Sequence, residues 1–455
     1  MAMVNQKVRC GVGDAEQGFA LPSVLFLVII LSLVAAGIVS LVFVQHRLAL
    51  REVAKVEAEY AAQSGVAMML AGPDIGRQDF RFGDGSMARV NATKWGMYRL
   101  VRSEGVSGKS HATRIALAAN LPPSVFQHAL VYGNGDHPLV FAGSSSIRGS
   151  VVVGQFGVTT GSLLNLPSPQ RMPVSGIVIR EVSLSIPQLV IERAEEEIAV
   201  CWSLLNSAVT ATASTVSNRT LQLDLIPDSL ERVMVSGNAV LAGTIVRRDR
   251  PLRLAVNGEM TLDASASVRG LVCLYASKGL IVSGRSVTEH AILISGKRIE
   301  LEPGSQALGQ IISPVVDIDS GASAKYPSIV LSIPMGPAGE LQRISIRSGA
   351  RVEGFVALST GGGPPIQENT IEIDRGATVI GATLSDSRTT LDGTVVGSVL
   401  TKEFYFYEAP TQYLGWIRSG VIDRQNLPPS FLVPMVFSGA TRSEVLDWLL
   451  TLYLS

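Results

Sequence analysis

The chain has 455 residues, of which 47% are hydrophobic, and its 38 basic and 38 acidic residues give a formal net charge of zero. This length exceeds one ordinary hydrophobic core and predicts about three domains, or fewer if one of them is an elongated repeat. The balanced charge and the lack of a clustered Lys/Arg stretch argue against a nucleic-acid partner, because neutralising phosphates requires a basic surface.

The first element is an uncharged apolar run from Phe19 to Val44 that begins directly after Gly18. As a helix it is about 39 Å long, which exceeds the roughly 30 Å hydrocarbon core of a bilayer. It is too long for the apolar stretch of a cleaved secretory signal, and no Ala-x-Ala-like site follows it. The run therefore predicts a membrane-spanning helix.

The residues Gly18, Phe19, Ala20 and Leu21, after a leader of residues 1–18, resemble the prepilin leader of type IV pilins and type II secretion pseudopilins. The resemblance implies that a prepilin peptidase cuts between Gly18 and Phe19 and methylates the new amino terminus. A plain signal anchor with a chance Gly-Phe pair is the alternative.

One position departs from that family, in which most members carry Glu at the fifth mature residue. This chain has Ser23 there, and a serine cannot offset the charge of a neighbouring subunit's terminal amine in an apolar environment. The departure resembles the large minor pseudopilin placed at a filament tip.

The pattern becomes amphipathic after residue 44 and stops at Gly72-Pro73, so residues 19–71 are predicted as one stalk helix. The stretch from Glu59 to Val66, which contains Gly65, resembles a short segment of minor pilins and large pseudopilins. Residues 72–135 contain Gly-rich turns and short alternating stretches, which predict a small antiparallel β subdomain.

Residues 136–402 carry an internal repeat of alternating apolar residues, a Gly with small neighbours, and a second Gly before another strand. Its clearest copies are 139–151, 344–356 and 371–383. Spacings of about 17–28 residues with Gly corners predict a parallel β-helix solenoid, whose inward side chains stack from coil to coil. The period and the Gly-Ala-x-Val-x-Gly pattern resemble those of bactofilins.

Two further segments complete the predicted organisation. A Glu-rich helix between residues 185 and 205 is predicted within an insertion near 160–232, packed outside the solenoid. Residues 403–455 are predicted as an aromatic cap on the last coil, with an aromatic partner-binding patch as the alternative. Within them, residues 441–454 are expected to form a terminal helix or an unstructured apolar tail.

Of the three cysteines, Cys10 would leave with the leader. Cys201 and Cys273 are expected either to pair in an oxidising compartment or to remain buried free thiols. The five histidines lack metal-site spacing, and no phosphate loop, nucleophile elbow or dinucleotide fingerprint is evident. We therefore predict no catalytic, cofactor-binding or metal-binding residues and no cofactor.

An enzymatic alternative is polysaccharide cleavage by carboxylates on one solenoid face. Alternation places polar residues outside in any solenoid, so a solvated face is the simpler interpretation. The candidates are Asp263, Glu300, Glu302, Asp317, Asp319, Glu372 and Asp374.

The sequence as a whole predicts a mainly β protein with a long N-terminal α-helix. We expect a non-enzymatic, single-pass protein of the bacterial inner membrane with an extracytoplasmic head. It would be a minor pilin or pseudopilin of a type IV pilus or type II secretion-like system, with the membrane, a prepilin peptidase and other pilin subunits as partners. The alternative structural role is a membrane-tethered, bactofilin-like scaffold, although a capped solenoid would oppose its end-to-end growth.

Overall fold

The computed structural model describes residues 20–72, 76–133, 136–163, 166–181, 186–206, 219–336, 340–362, 368–437 and 442–454. The predicted leader, with Gly18 and Phe19, lies outside these residues. The described chain is mainly β, with one long N-terminal apolar helix.

The elements follow one another in two groups. The first group is α1 Ala20–Ala71, β1 Gly76–Arg81, β2 Met87–Trp95, β3 Tyr98–Ser107, β4 Ser110–Asn120, β5 Leu130–Tyr132, β6 Leu139–Ala142, β7 Ser146–Arg148, β8 Val151–Val153, β9 Val158–Thr160, β10 Val174–Ser175, β11 Val178–Arg180, α2 Glu192–Asn206, β12 Arg219–Gln222, β13 Arg232–Ser236 and β14 Ala239–Ala242. The second group is β15 Thr244–Asn257, β16 Glu259–Leu262, β17 Ser267–Ala276, β18 Gly279–Val282, β19 Val287–Ser295, β20 Arg298–Leu301, β21 Gln306–Ile312, β22 Val315–Ile318, β23 Ser323–Ser332, β24 Arg343–Ile346, β25 Arg351–Leu358, β26 Thr370–Ile373, β27 Thr378–Leu391, β28 Thr394–Glu408, β29 Thr411–Leu414, β30 Trp416–Arg418, β31 Val421–Asp423 and β32 Ser443–Leu454.

Helix α1 has two environments along its length. Every side chain from residue 21 to residue 53 is exposed. Pro22 is tolerated because it lies in the first turn, where its missing N–H has no intrahelical partner. From Ala58 onward one face of the helix is buried, including Ala62, Val66 and Met69. The N-terminal part of α1, residues 21–53, is therefore not covered by the rest of the described chain, and most of its exposed surface is apolar.

The buried face of α1 packs on a five-stranded antiparallel sheet in the order β1-β2-β3-β4-β32. Alternate residues of the central strands, such as Val90 and Val101, point towards Val66 and Met69 in one apolar cluster. Antiparallel strands were predicted for this part of the chain, and β1 to β4 form them.

The prediction for residues 441–454 was wrong, because β32 is neither a helix nor a tail. It pairs with β4 from Ser443 opposite Asn120 to Leu454 opposite His111. The register shifts twice, between Val445 and Asp447 and between Trp448 and Leu450. Such bulges break the period-two alternation that identifies a strand, so the apolar run resembles a helix in sequence.

The second sheet has 24 strands among the described residues, and its strands pair in parallel except for the antiparallel pair β28 and β29. Each strand from β12 to β25 pairs with the strand two places later in the chain, as β20 does with β22 and β22 with β24. This register aligns buried aliphatic residues in rows that fill the main apolar core. One such row is Leu280, Ile299, Val316, Ile344 and Ile371.

The order of strands in space differs from their order in the chain. Strands β10 and β11 pair with β7 and β8 and form one end of this sheet, whereas β9 pairs with β6 in a separate sheet of order β30-β6-β9. The chain then crosses, through α2, to the opposite end at β12 and β13 and returns strand by strand to β28. There Val399 pairs with Leu130 of β5, which joins the two parts of the sheet.

This order corrects the prediction of an insertion near 160–232. The predicted helix is present as α2 and packs against β13 and β15. The flanking residues, however, include β10, β11 and β12, which are strands of the sheet itself. The segment is a connection between the two ends of the sheet, and its mixed content hides this role in the sequence.

The sequence predicted that the aromatic residues after position 403 would cover an end of the sheet. They do not. Phe404 stacks on Tyr132 with ring centroids 5.9 Å apart, and Trp416 pairs with Val140 of β6. Strand β6 in turn pairs with β9, so at least one further row of strands lies beyond the aromatic cluster. These rings therefore fill the seam where the two parts of the sheet meet.

Candidate functional site

The exposed part of α1 is the most unusual surface of the described chain. Among the described residues α1 is the one helix long and apolar enough to cross a membrane by length and composition. Leu21 is 77% exposed and Phe43 is 62% exposed. Contiguous apolar surface of this extent marks a membrane or partner contact, because water solvates it poorly.

Polar groups are sparse along the apolar part of α1. The hydroxyl of Ser32 donates to the carbonyl of Val28 at 2.7 Å, so this hydroxyl is satisfied within the helix. Ser23, predicted as the departure from the pilin Glu, lies in the first turn of α1 with its side chain exposed. The predicted processing residues Gly18 and Phe19 precede the described helix.

Charged contacts attach α1 to the antiparallel sheet where the helix becomes buried. Ser107 donates its hydroxyl to the Glu57 carboxylate at 2.7 Å. Glu59 forms an ion pair with Arg114 of β4. The Arg114 guanidinium also lies over the Trp448 ring of β32, 5.6 Å from its centroid. The helix thus contacts β32 as well as β2, β3 and β4.

Two glycines allow the helix and sheet to approach each other closely. A Cβ on Gly105 would lie 1.9 Å from the carbonyl oxygen of Ala58, and a Cβ on Gly65 would lie 2.7 Å from the Cβ of Ala88. Both distances are far below van der Waals contact, so these positions accept only hydrogen. Gly65 belongs to the stretch 59–66 that resembles minor pilins, and this contact gives that short motif a physical role.

Buried polar contacts join the antiparallel sheet to the parallel one. The backbone N–H of Met97 donates to Gln310 Oε1 at 2.7 Å, and Gln310 Nε2 donates to the Trp95 carbonyl at 2.9 Å. Gln310 is 1% exposed, so these bonds satisfy an amide that would otherwise be buried without partners. Sequence reasoning missed Gln310, because nothing in its local pattern distinguishes it from a solvent-facing strand residue.

His290 is a second polar residue at this junction, and it is partly buried. Its carbonyl accepts from the Trp95 indole at 3.3 Å, and its Nε2 lies 3.2 Å from Asp447 Oδ2 of β32. Burial lowers the pKa of His290 below its ordinary value, and the nearby Asp447 opposes this shift. The sequence analysis found no metal-site spacing around this histidine and did not predict its position at the junction.

The carboxylates weighed for polysaccharide cleavage lie along neighbouring strands, and several contact arginines. Asp317 is buried, with its Oδ2 2.8 Å from Arg298 Nε. Glu300 lies 3.3 Å from the same arginine, and Asp374 lies 3.5 Å from Arg347. Register places Glu300 beside Asp317 in adjacent strands, and such a row of acids is stabilised by the intervening cations.

A polar cavity of about 670 Å³ lies between the start of α2, the end of β25 and side chains within β27 and β28. Its wall includes Lys402 and Asp386, whose carboxylate accepts from the backbone N–H of Thr360 at 2.8 Å. Burial raises the pKa of Asp386 above its ordinary value, although the hydrogen bonds from Thr360 and Ser359 oppose this. Gly361 and Gly362 also line this cavity.

Among the described residues one group of side chains has the composition of a metal site. Ligand atoms of Glu197, Cys201 and Cys273 lie within 4.8 Å of one another, and all three residues are buried. Both oxygens of Glu197 accept from Arg253, at 2.8 and 3.3 Å. The cysteines are free thiols in this structure.

No family model matches this chain, and no curated protein matches it. Among solved structures it is similar to the crystal structure of the competence-associated pilin ComZ from Thermus thermophilus. The two chains are 12% identical over 88% of this chain and 98% of that one, with a TM-score of 0.22. A TM-score of this size does not indicate a common fold, so the function proposed below rests on residues of this chain.

Proposed function

We propose that this chain is a membrane-anchored structural subunit, a minor pilin or pseudopilin of a type IV pilus or type II secretion-like system. The observation that carries the proposal is the exposed apolar part of α1, which directly follows the Gly18-Phe19 pair in the sequence. Pilin-type subunits require such a helix twice, first in the bilayer and then among the helices of other subunits. We propose that the prepilin-type leader orients the helix so that the body of the protein lies on the extracytoplasmic side of the bacterial inner membrane.

Ser23 and the size of the body favour a specialised subunit over a repeating one. A serine cannot supply the charge that a neighbouring subunit's terminal amine requires in an apolar environment. The large parallel sheet would also crowd adjacent subunits if it recurred at every filament position. We therefore propose a tip or accessory location with low copy number.

We further propose that the parallel sheet winds as a β-helix with one short and one longer strand per coil, as in β20 of 4 residues and β21 of 7 residues. The pairing of each strand from β12 to β25 with the second strand after it supports this geometry, as does the row of buried aliphatic residues from Leu280 to Ile371. We propose that its role is structural rather than enzymatic, and the pairing of Asp317 with Arg298 supports this, because the ion pair already engages this buried carboxylate.

Prepilin peptidase cleavage tests the proposal directly. Incubation of the full chain in detergent with a prepilin peptidase is expected to give a product that begins at Phe19, as read by N-terminal sequencing. The variant Gly18→Val should resist cleavage, because a β-branched side chain replaces hydrogen at the scissile bond. Gly13→Val, a matched change inside the leader, should be cut normally. An intact wild-type chain would refute the pilin assignment and favour a plain anchor.

A membrane-tethered scaffold of the bactofilin type is the second candidate, and the position of the aromatic cluster favours it. The cluster fills an internal seam, so it does not block the end of the sheet at β10 and β11. Ile177, beside these strands, is 72% exposed, and an open strand edge with exposed aliphatic residues promotes end-to-end pairing. Electron microscopy of the full chain in detergent would show filaments that Ile177→Lys abolishes and that the side-facing control Val246→Lys retains.

A further inference from the structure

Two cysteines far apart in the chain meet beneath the connecting helix. Cys201 lies on the buried face of α2, and Cys273 lies in β17 of the parallel sheet. Their sulfur atoms are 3.5 Å apart, and 72 positions separate the residues in the sequence. Because α2 belongs to the connection between the two ends of the sheet, this pair lies where that connection is held against the body.

We propose that Cys201 and Cys273 form a disulfide in the mature protein, which fastens α2 to the parallel sheet. A disulfide bond is about 2.05 Å long, so the two sulfurs need to approach by about 1.5 Å, which small side-chain rotations supply. The proposal rests on the extracytoplasmic location proposed above, because such compartments are oxidising.

A bound metal ion is the competing use of the same residues. Structural zinc takes four ligands in most proteins, and this cluster offers two sulfurs and the Glu197 carboxylate. The Arg253 guanidinium already binds both oxygens of that carboxylate and places a positive charge beside the site. Because the Arg253 cation repels a divalent metal ion, the Cys201 and Cys273 thiols are better placed to form a disulfide than to bind such an ion.

Oxidation would proceed by thiol–disulfide exchange with an external disulfide, either a small molecule or a protein. One cysteine thiolate attacks that disulfide, a mixed disulfide forms, and the second cysteine thiolate displaces it. The chain loses two protons and two electrons and gains one S–S bond, while the oxidant is reduced to two thiols.

The buried geometry determines when this exchange occurs. Both cysteines are almost fully buried, so an oxidant does not reach the sulfurs once α2 is docked. The hydrogen bond with Cys201 and burial together raise the pKa of the Cys273 thiol well above its ordinary value, which makes Cys273 a poor nucleophile once α2 is docked. The bond therefore forms before α2 docks, and docking then protects it from reduction.

Thiol labelling of the full chain in detergent tests the proposal in two preparations. One is purified from membranes, and the other is unfolded, reduced and refolded with oxidised and reduced glutathione. Each is denatured without reductant, alkylated and digested. The expected result in both is one cross-linked peptide pair containing Cys201 and Cys273, lighter by two hydrogens than the reduced peptides. Where the leader remains, Cys10 is a labelled internal control.

The two preparations separate the disulfide from the proposed location. Full labelling of both cysteines in both preparations overturns the proposal, and one zinc ion per chain with both thiols intact overturns it in favour of a metal. If the bond forms on refolding but is absent from the membrane preparation, the disulfide is not native and the protein does not mature in an oxidising compartment. The prepilin peptidase test does not depend on this outcome.

Thermal unfolding provides the matched control. Reduction of the unfolded wild type before refolding is expected to lower its Tm by roughly 5 °C, because a loop of this length restricts the unfolded chain. The double variant Cys201→Ala, Cys273→Ala should have the same Tm with and without oxidant. An equal response of the variant and the wild type to the oxidant would contradict a disulfide origin.

Discussion

Gly381 offers the sharpest test of how the parallel strands stack. It lies in β27, between Gly354 and Gly397 of the neighbouring strands, with φ of +142°. A Cβ at this position would lie 1.8 Å from the Gly354 carbonyl oxygen and 2.9 Å from the ring of Phe431. The variant Gly381→Ala therefore strains its own backbone and also pushes two adjacent strands apart.

Two control glycines separate these effects. Gly321 has φ of +79° but open space around its missing side chain, whereas Gly279 has no positive φ and its nearest neighbour is 3.8 Å away. We expect Gly279→Ala to change the free energy of unfolding by less than about 0.5 kcal/mol. Gly321→Ala should cost about 1–2 kcal/mol through backbone strain alone. Gly381→Ala should cost about 2–6 kcal/mol, since strain and overpacking act together.

Urea unfolding of the full chain in detergent, followed by far-ultraviolet circular dichroism, measures all three variants. A loss of about 2–6 kcal/mol is a large part of the roughly 5–15 kcal/mol that stabilises a typical domain, so the transition midpoint should fall clearly. If Gly381→Ala unfolded at the same urea concentration as Gly279→Ala, the close approach of these strands would be wrong, and with it the register of β25, β27 and β28.

Three further predictions concern the junctions between parts of the chain. Burial lowers the pKa of His290, so as the pH falls this residue is protonated in the unfolded chain before it is protonated in the folded one. The stability that the neutral imidazole contributes is therefore complete above about pH 6.5 and is lost as the pH falls below that value. His290→Asn, which tolerates the same positive φ, should flatten the dependence of Tm on pH in that range, and an unchanged slope would exclude His290 as its source. Phe404→Ala should lower the free energy of unfolding by about 3–5 kcal/mol, because the ring fills the seam beside Tyr132. A loss below about 1 kcal/mol in urea unfolding would show that the seam is loosely packed. Deletion of residues 443–454 should expose the edge of β4 and cause self-association by light scattering in detergent, and a monodisperse truncated protein would contradict this.

Local patterns in the sequence predicted the elements whose evidence lies within one segment. The apolar run up to Val44 predicted α1, and the alignment of the copies 344–356 and 371–383 agrees with the observed pairing of Ile344 with Ile371 and Gly354 with Gly381. A repeat encodes register directly, because equivalent residues of adjacent copies stack on one another. The membrane and processing roles of residues 18–23 remain predictions.

Contacts between distant segments could not be predicted from the sequence, because no local pattern specifies which distant residue a side chain will contact. The copy at 139–151 has the same template as the others, yet its strand β6 lies between β30 and β9 and not beside a neighbouring copy in the chain. Gln310 and His290 acquire their roles only when β2, the turn after it and β32 dock on the parallel sheet. The proximity of Cys201 to Cys273 likewise depends on where α2 packs on the parallel sheet.

The return of the chain onto its own beginning has a consequence for how the protein is made. Tyr132 donates a hydrogen bond to Glu403, 271 positions away, and Ser443 donates to Asn120, 323 positions away. Contacts of such high sequence separation form late and slowly, because long loops must close first. A chain emerging from a ribosome or translocon would hold an open β4 edge until β32 arrives. A product interrupted before β32 would therefore remain prone to aggregation and open to proteases, whereas pairing of β32 with β4 closes that edge.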